Sequence, residues 1–133
     1  MLSPALLLFE AACYDSAPPP GACLDVGIEA SCTPAYEPTY DAVFRSTLQP
    51  SCAKSGVSCH ASTGRQGGLD FDDPEAAYAA LTARHVRPGR PECSPLVHRI
   101  ASTDGNFRMP PGRSLEIGAQ CAIHRWVAAG ARR

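Results

Sequence analysis

Residues 51–60 read SCAKSGVSCH, placing two thiols and an imidazole within one short stretch. Three chemistries use such groups. Two thiols can close a disulfide. Thiolates with an imidazole can hold a soft or borderline metal ion. A cysteine followed at once by histidine, with a second cysteine shortly before, can attach haem covalently, the histidine ligating iron. That attachment run usually has two residues between its cysteines, whereas Cys52 and Cys59 have six between them. Seven steps along a straight α-helix separate two side chains by roughly 10 Å, too far for one porphyrin edge. The stretch AKSGVS must therefore loop out, and its Ser-Gly-Val-Ser composition allows it. Cys59-His60 is the firm half of the pattern. For Cys52 two outcomes stay open, a thioether to haem or a disulfide to Cys59.

Iron in such a site takes a second axial ligand. Met109 is the one methionine besides Met1, and it stands in RMPPG. Pro110 biases the preceding residue towards extended backbone and Pro111 stiffens the next step, which aims one thioether rigidly. His/Met ligation raises the reduction potential and suits electron transfer. Set against this is the ordinary role of a lone methionine as a filler of core gaps. A copper or zinc site built from Cys52, Cys59, His60 and Met109 fits neither a zinc finger nor a blue-copper loop in its spacing. No nucleophile–base constellation stands out, so an electron carrier is expected in preference to an enzyme.

The bulk composition limits the rest. The chain has 133 residues, 44% hydrophobic but only 7% aromatic, enough for one domain and a short leader. A core this modest needs a staple or a cofactor. Seven cysteines indicate an oxidising compartment or metal binding. Net charge is −1, against a nucleic-acid binder, and no apolar run is long enough to span a membrane. Residues 1–44 hold six acids and no Lys or Arg, while residues 45–133 hold twelve basic and seven acidic residues. Arg87, Arg90 and Arg108 are candidates to neutralise anionic groups of a cofactor, although a spread, solvated surface is the plainer account of the basic excess.

Residues 1–13, MLSPALLLFEAAC, read as an export leader similar to a bacterial lipoprotein signal, with Cys13 the candidate for lipidation. Glu10 and the missing basic residue depart from that pattern. Residues 14–38 are proline-rich and read as a tether. Within it Cys23 and Cys32, with eight residues between them, are expected to close a small disulfide loop. The ordered domain is predicted over 39–133. Tyr40, Val43, Phe44 and Leu48 recur at helical spacing, and Pro50 ends that helix. Leu69 and Phe71 alternate as in a short extended segment. Asp73 caps a helix that opens on Pro74 and runs to about Ala83. Ser94 and Pro95 open a short helix through Ile100. Ser114 is expected to cap a last helix with Leu115, Ala119, Ala122, Ile123, Trp126 and Val127 on its apolar face and Gly130 as its stop. His85 and His98 are expected to be exposed, and His124 structural. Four or five short helices with almost no strand leave the middle for something else to fill.

Taken in order, SCH, GGLDFDDPEAAYAAL, VRPGRPECSPLVHRI, RMPPG and CAIHRWVAAGA resemble the planctomycete-type cytochrome c domain. That family runs from a Cys-His haem motif through Gly-Gly-Leu, Pro-Gly-x-Pro-Glu-x-Ser and Met-Pro-Pro to a terminal tryptophan helix. The likeness covers about residues 40–131. It implies a small all-α cytochrome c-like fold around one covalently bound haem c. It assigns Cys52 and Cys59 to the haem thioethers, His60 to the proximal iron ligand and Met109 to the distal one. Cys93 and Cys121 fall in two of the matching segments and are expected to pair with each other. The implied function is an exported mono-haem carrier of single electrons, periplasmic or held at the cell envelope through Cys13, and served by a redox partner protein. The competing reading is a haem-free, disulfide-stapled exported module for binding or assembly, in which Cys52 pairs with Cys59.

Overall fold

A computed structural model describes residues 18–53 and 59–133 of the chain. The leader, Cys13 and the insert 54–58 lie outside the described residues. Among the described residues the regular elements are all helical, joined by loops, with no strand. Helix α1 spans Tyr40–Val43, with the Thr39 hydroxyl accepting from the Ala42 amide as its cap. It continues in the wider π register as Phe44–Ala53. Pro50 was expected to end this helix. Proline clashes with the carbonyl four residues back in an α register, but the chain leaves that register at Phe44, and the helix carries on to Ala53 with Pro50 inside. Cys52 is thereby fixed on a helical turn.

Helix α2, Pro74–Ala80, starts as expected, with the Asp73 carboxylate accepting from the amides of Glu75 and Ala76. A π turn, Leu81–His85, extends it. Helix α3 is Pro95–Ala101. Ser94 precedes it but does not cap it with its side chain. Its buried hydroxyl accepts from the Arg87 amide and donates to the Arg90 carbonyl, each at 2.8 Å, and so closes the preceding loop. Helix α4, Ile117–Ala128, begins later than the Ser114 cap predicts. At its far end the Ala131 amide reaches the Trp126 carbonyl and the Gly130 amide the Val127 carbonyl. These are the two bonds of a Schellman stop, with Gly130 at φ 107° as the motif requires.

The core lies where α1 packs on α4, with Tyr40, Val43, Phe44 and Leu48 on one side and Ile123, Trp126 and Val127 on the other. The Tyr40 ring stands 5.6 Å from Trp126 and 4.9 Å from Tyr78, and its hydroxyl donates to the Pro74 carbonyl. Each large apolar side chain buried here contributes about 1.5–3 kcal/mol.

The segment before α1 departs from the expected tether. The Leu24 amide donates to the Glu92 carbonyl at 2.7 Å, and the Ala35 amide to the Gly118 carbonyl at 2.9 Å. Tyr36 shares a hydrogen bond with Thr47, and Arg125 reaches the Ala30 carbonyl. The disulfides are Cys23–Cys93 and Cys32–Cys121, so both expected pairings, Cys23–Cys32 and Cys93–Cys121, are corrected. The reason is the path of the chain. No turn between 22 and 29 folds Cys23 back towards Cys32, and nine residues of unfolded-back chain can span up to about 30 Å. Each cysteine instead meets the partner it passes, Cys93 just before α3 or Cys121 on α4.

Candidate functional site

Below the α1–α4 core lies a cavity of about 630 Å³, within the range of small-molecule and cofactor sites. Cys52, Cys59, His60 and Met109 all line it. The same four border a smaller cavity of about 90 Å³ beside it. The sequence candidates thus come together, although they are separated by up to 57 positions (109 − 52) along the chain.

His60 is set by a compact loop. The Gln66 amide donates to the Cys59 carbonyl, the Phe71 amide to the His60 carbonyl, and the Arg65 amide to the Ala61 carbonyl. Ser62 donates through both its amide and its hydroxyl to Asp72. The imidazole packs edge-on against Phe71, 5.5 Å between ring centres. Its Nδ1 lies 2.8 Å from the Gln66 carbonyl oxygen. A carbonyl only accepts, so Nδ1 carries the proton and Nε2 keeps its lone pair. Burial is the main cause holding this ring's pKa below its usual value. The neutral imidazole is the form that ligates a metal, and a proton on the other nitrogen held by a carbonyl is the usual support for it.

Met109 sits at the end of a loop tied to α3. Its amide donates to the Arg99 carbonyl at 3.0 Å, and the Met109–Pro110 peptide is cis. The Arg99 side chain donates to the Phe107 carbonyl at 3.1 Å and lies 4.2 Å over the Phe107 ring. Pro110 is buried. Cys52 and Cys59 are free thiols, so the disulfide that the haem-free reading needs is not formed here. Desolvation pushes the Cys52 thiol up to about 11, only partly countered by the charge of Arg113. It is therefore S–H at neutral pH and slow to oxidise.

Other expectations fare unevenly. His98 is buried, with Nε2 2.6 Å from the Glu92 carbonyl, and lines the cavity. His85 is half-buried and lines it too. Both were expected at the surface. Of the three arginines proposed to meet anionic groups, Arg108 lines the cavity, and its buried Nε has no partner. Arg87 and Arg90 are exposed and are not among the lining residues. Arg99 was missed altogether, because nothing local in VHRI distinguishes an arginine that pins a distant loop. Residues 18–22 were also missed as a wall of the cavity.

The donor set fits a haem: an imidazole nitrogen with its lone pair free, a thioether, and two unpaired thiols around a cavity of cofactor size. Among the described residues no three His, Cys, Asp or Glu side chains gather to hold a bare metal ion.

The fold is small and all-α among the described residues, consistent with a cytochrome c-like domain. Residues 57–112, fewer than half of the chain, match the family model described as Planctomycete cytochrome C, and that match supports a planctomycete-type cytochrome c-like domain there. The match spans the Cys59-His60 pair, α2, α3 and the Met109 loop. No curated protein and no solved structure matches the chain. The cytochrome c-type domain points to a haem-binding electron carrier rather than an enzyme.

Proposed function

We propose that the chain is an exported mono-haem c-type cytochrome that carries single electrons. The observation that supports this most directly is the convergence of His60, Met109, Cys52 and Cys59 on one cavity, with the His60 Nδ1 proton already engaged. Haem bound there supplies a one-electron couple at its iron. His60 would offer Nε2 and Met109 its thioether to the iron, a pair that favours the reduced state and so a higher potential. Cys59 would hold the cofactor by a thioether, and Cys52 by a second. Arg108 offers a guanidinium to anionic groups at the edge. Phe71, Leu69 and Ile100 give the cavity an apolar wall, which would tune the potential further.

The leader through Cys13 directs export to the periplasm or cell envelope, with Cys13 as a lipid anchor, and a redox partner protein exchanges electrons with the domain. Among the described residues no helix is long and apolar enough to cross a membrane.

The test is expression of the full chain with a cytochrome maturation system, followed by haem staining of a denaturing gel. A stained band is expected, and a colourless one overturns covalent attachment. The alkaline pyridine spectrum then counts the thioethers. Two are expected, and the band position of a single thioether would remove Cys52 from the site.

A further inference from the structure

His85 lies 25 residues from His60 in sequence, yet both rings hold the same turn. His60 donates through Nδ1 to the Gln66 carbonyl at 2.8 Å. His85 Nε2 lies 2.9 Å from the next carbonyl, that of Gly67. Since a carbonyl accepts only, His85 donates from Nε2. The His85 ring also covers Gly67, with its Cε1 3.6 Å from where a Cβ on that glycine would stand.

Within itself the turn has two backbone hydrogen bonds, from the Gly68 amide to the Arg65 carbonyl at 3.0 Å and from the Leu69 amide to the Gln66 carbonyl at 3.2 Å. Arg65, Gly67 and Gly68 all have positive φ, at 48°, 65° and 73°. Residues 66–68 are exposed and two of them are glycines, so the turn gains little from burial. Glycine gives the turn its shape but not its rigidity. The rigidity comes from hydrogen bonds to the backbone on one side and from the His85 ring on the other. His85 itself is fixed, because it closes the π turn Leu81–His85, where the Val86 amide meets the Leu81 carbonyl.

We propose that His85 is a positioning residue for His60. By pinning the Gly67 carbonyl it sets the orientation of the adjoining Gln66 carbonyl, and that carbonyl fixes the tautomer and ring angle of the imidazole. Its Nε2 proton is spent on this bond. The inference rests on His60 being the proximal ligand. Removing His85 frees the turn, weakens the Nδ1–H···O bond, and makes His60 a less basic donor. A weaker donor stabilises oxidised iron less, so the reduction potential rises.

The full-length chain is compared with His85→Ala and His85→Gln, the second keeping an N–H able to reach the Gly67 carbonyl. Imidazole nitrogen NMR reads the His60 tautomer in haem-free and haem-loaded protein, and electrochemistry reads the potential of the loaded form. The wild-type chain should show a single Nδ1–H tautomer for His60. His85→Ala should show a mixture, at least tenfold faster exchange of the Nδ1 proton, and a raised potential. His85→Gln should restore most of each. Unchanged His60 signals and potential in His85→Ala overturn the proposal, and so does a Gln variant that behaves like Ala. Should Ala fail to fold, the Gln variant alone decides, since it must then match the wild type in both readouts. A chain that takes up no haem defeats the cytochrome reading instead, while the tautomer in haem-free protein still judges His85.

Discussion

At the scale of single residues, His60 and Met109 are held in different ways. His60 is prepared before any ligand arrives, because its Nδ1–H is held by the Gln66 carbonyl and burial keeps the ring neutral. Met109 is held by its backbone, through the Arg99 carbonyl and the proline that follows. Replacing Met109 with Ala should leave haem attachment intact, abolish the sulfur-to-iron absorption band and lower the potential. Persistence of that band would assign the distal position to another residue. Met109, His60 and Cys59, which line one cavity, could be singled out in the sequence because each stands in a short run whose neighbours define it. Arg99 and His85 were not, because their partners, Phe107 and Gly67, are reached through space.

At the scale of elements, the segment before α1 is the main departure from expectation. It lies along α4 and the loop before α3, and residues 18–22 wall the cavity just ahead of the Cys23–Cys93 bond. Peptide mapping of the oxidised protein should return Cys23 with Cys93 and Cys32 with Cys121. Recovery of Cys23 joined to Cys32 would refute the crossed pairing. The disulfides close separations of 70 and 89 residues, and by loop-closure entropy each contributes up to about 4 kcal/mol. Gly118 shows how closely the segment is seated. A Cβ there would stand 2.9 Å from the Ala35 Cβ and 3.1 Å from its amide nitrogen. Gly118→Ala gains about 1 kcal/mol at most in helix propensity but incurs an overpacking cost of about 1–3 kcal/mol. The net should be destabilising, and a glutamate-specific protease should cut at Glu29 or Glu37 faster than in the wild type. Equal cutting rates would show that the segment is seated more loosely than its bonds imply.

At the scale of the whole molecule, three histidines, His60, His85 and His124, have pKa values lowered first of all by burial. In each case the unfolded chain takes up a proton near pH 6.5 while the folded chain resists it. Between the two values the unfolded state binds more protons, so stability falls as pH falls below about 6.5. For the haem-free protein the denaturant midpoint should drop between pH 7.5 and pH 5. A midpoint that holds steady over that range would contradict the burial of these rings. Tyr40 acts at the other end. Its pKa is raised to about 12, chiefly by desolvation, so the stability it contributes is intact below pH 10 and lost as pH rises through about 12. Cofactor binding should lift the melting temperature, because a cavity of about 630 Å³ leaves its lining side chains without contacts on one side.

The sequence by itself determined the local elements and the chemistry attached to them. Periodicity placed α1 and α4, Asp73-Pro74 started α2, Gly130 stopped α4, and the Cys-His and Met-Pro-Pro runs singled out side chains that line one cavity. These are short-range matters, decided by backbone sterics and by groups within a few residues of one another. Tertiary structure alone decided which cysteines meet, that Pro50 is carried inside a π-helical turn, that residues 18–22 wall the cavity, and that His85 and His98 turn inward. Disulfide pairing follows the path of the chain over the domain, and burial follows from which faces come together. Neither is set by neighbours in sequence, so neither can be read from spacing alone.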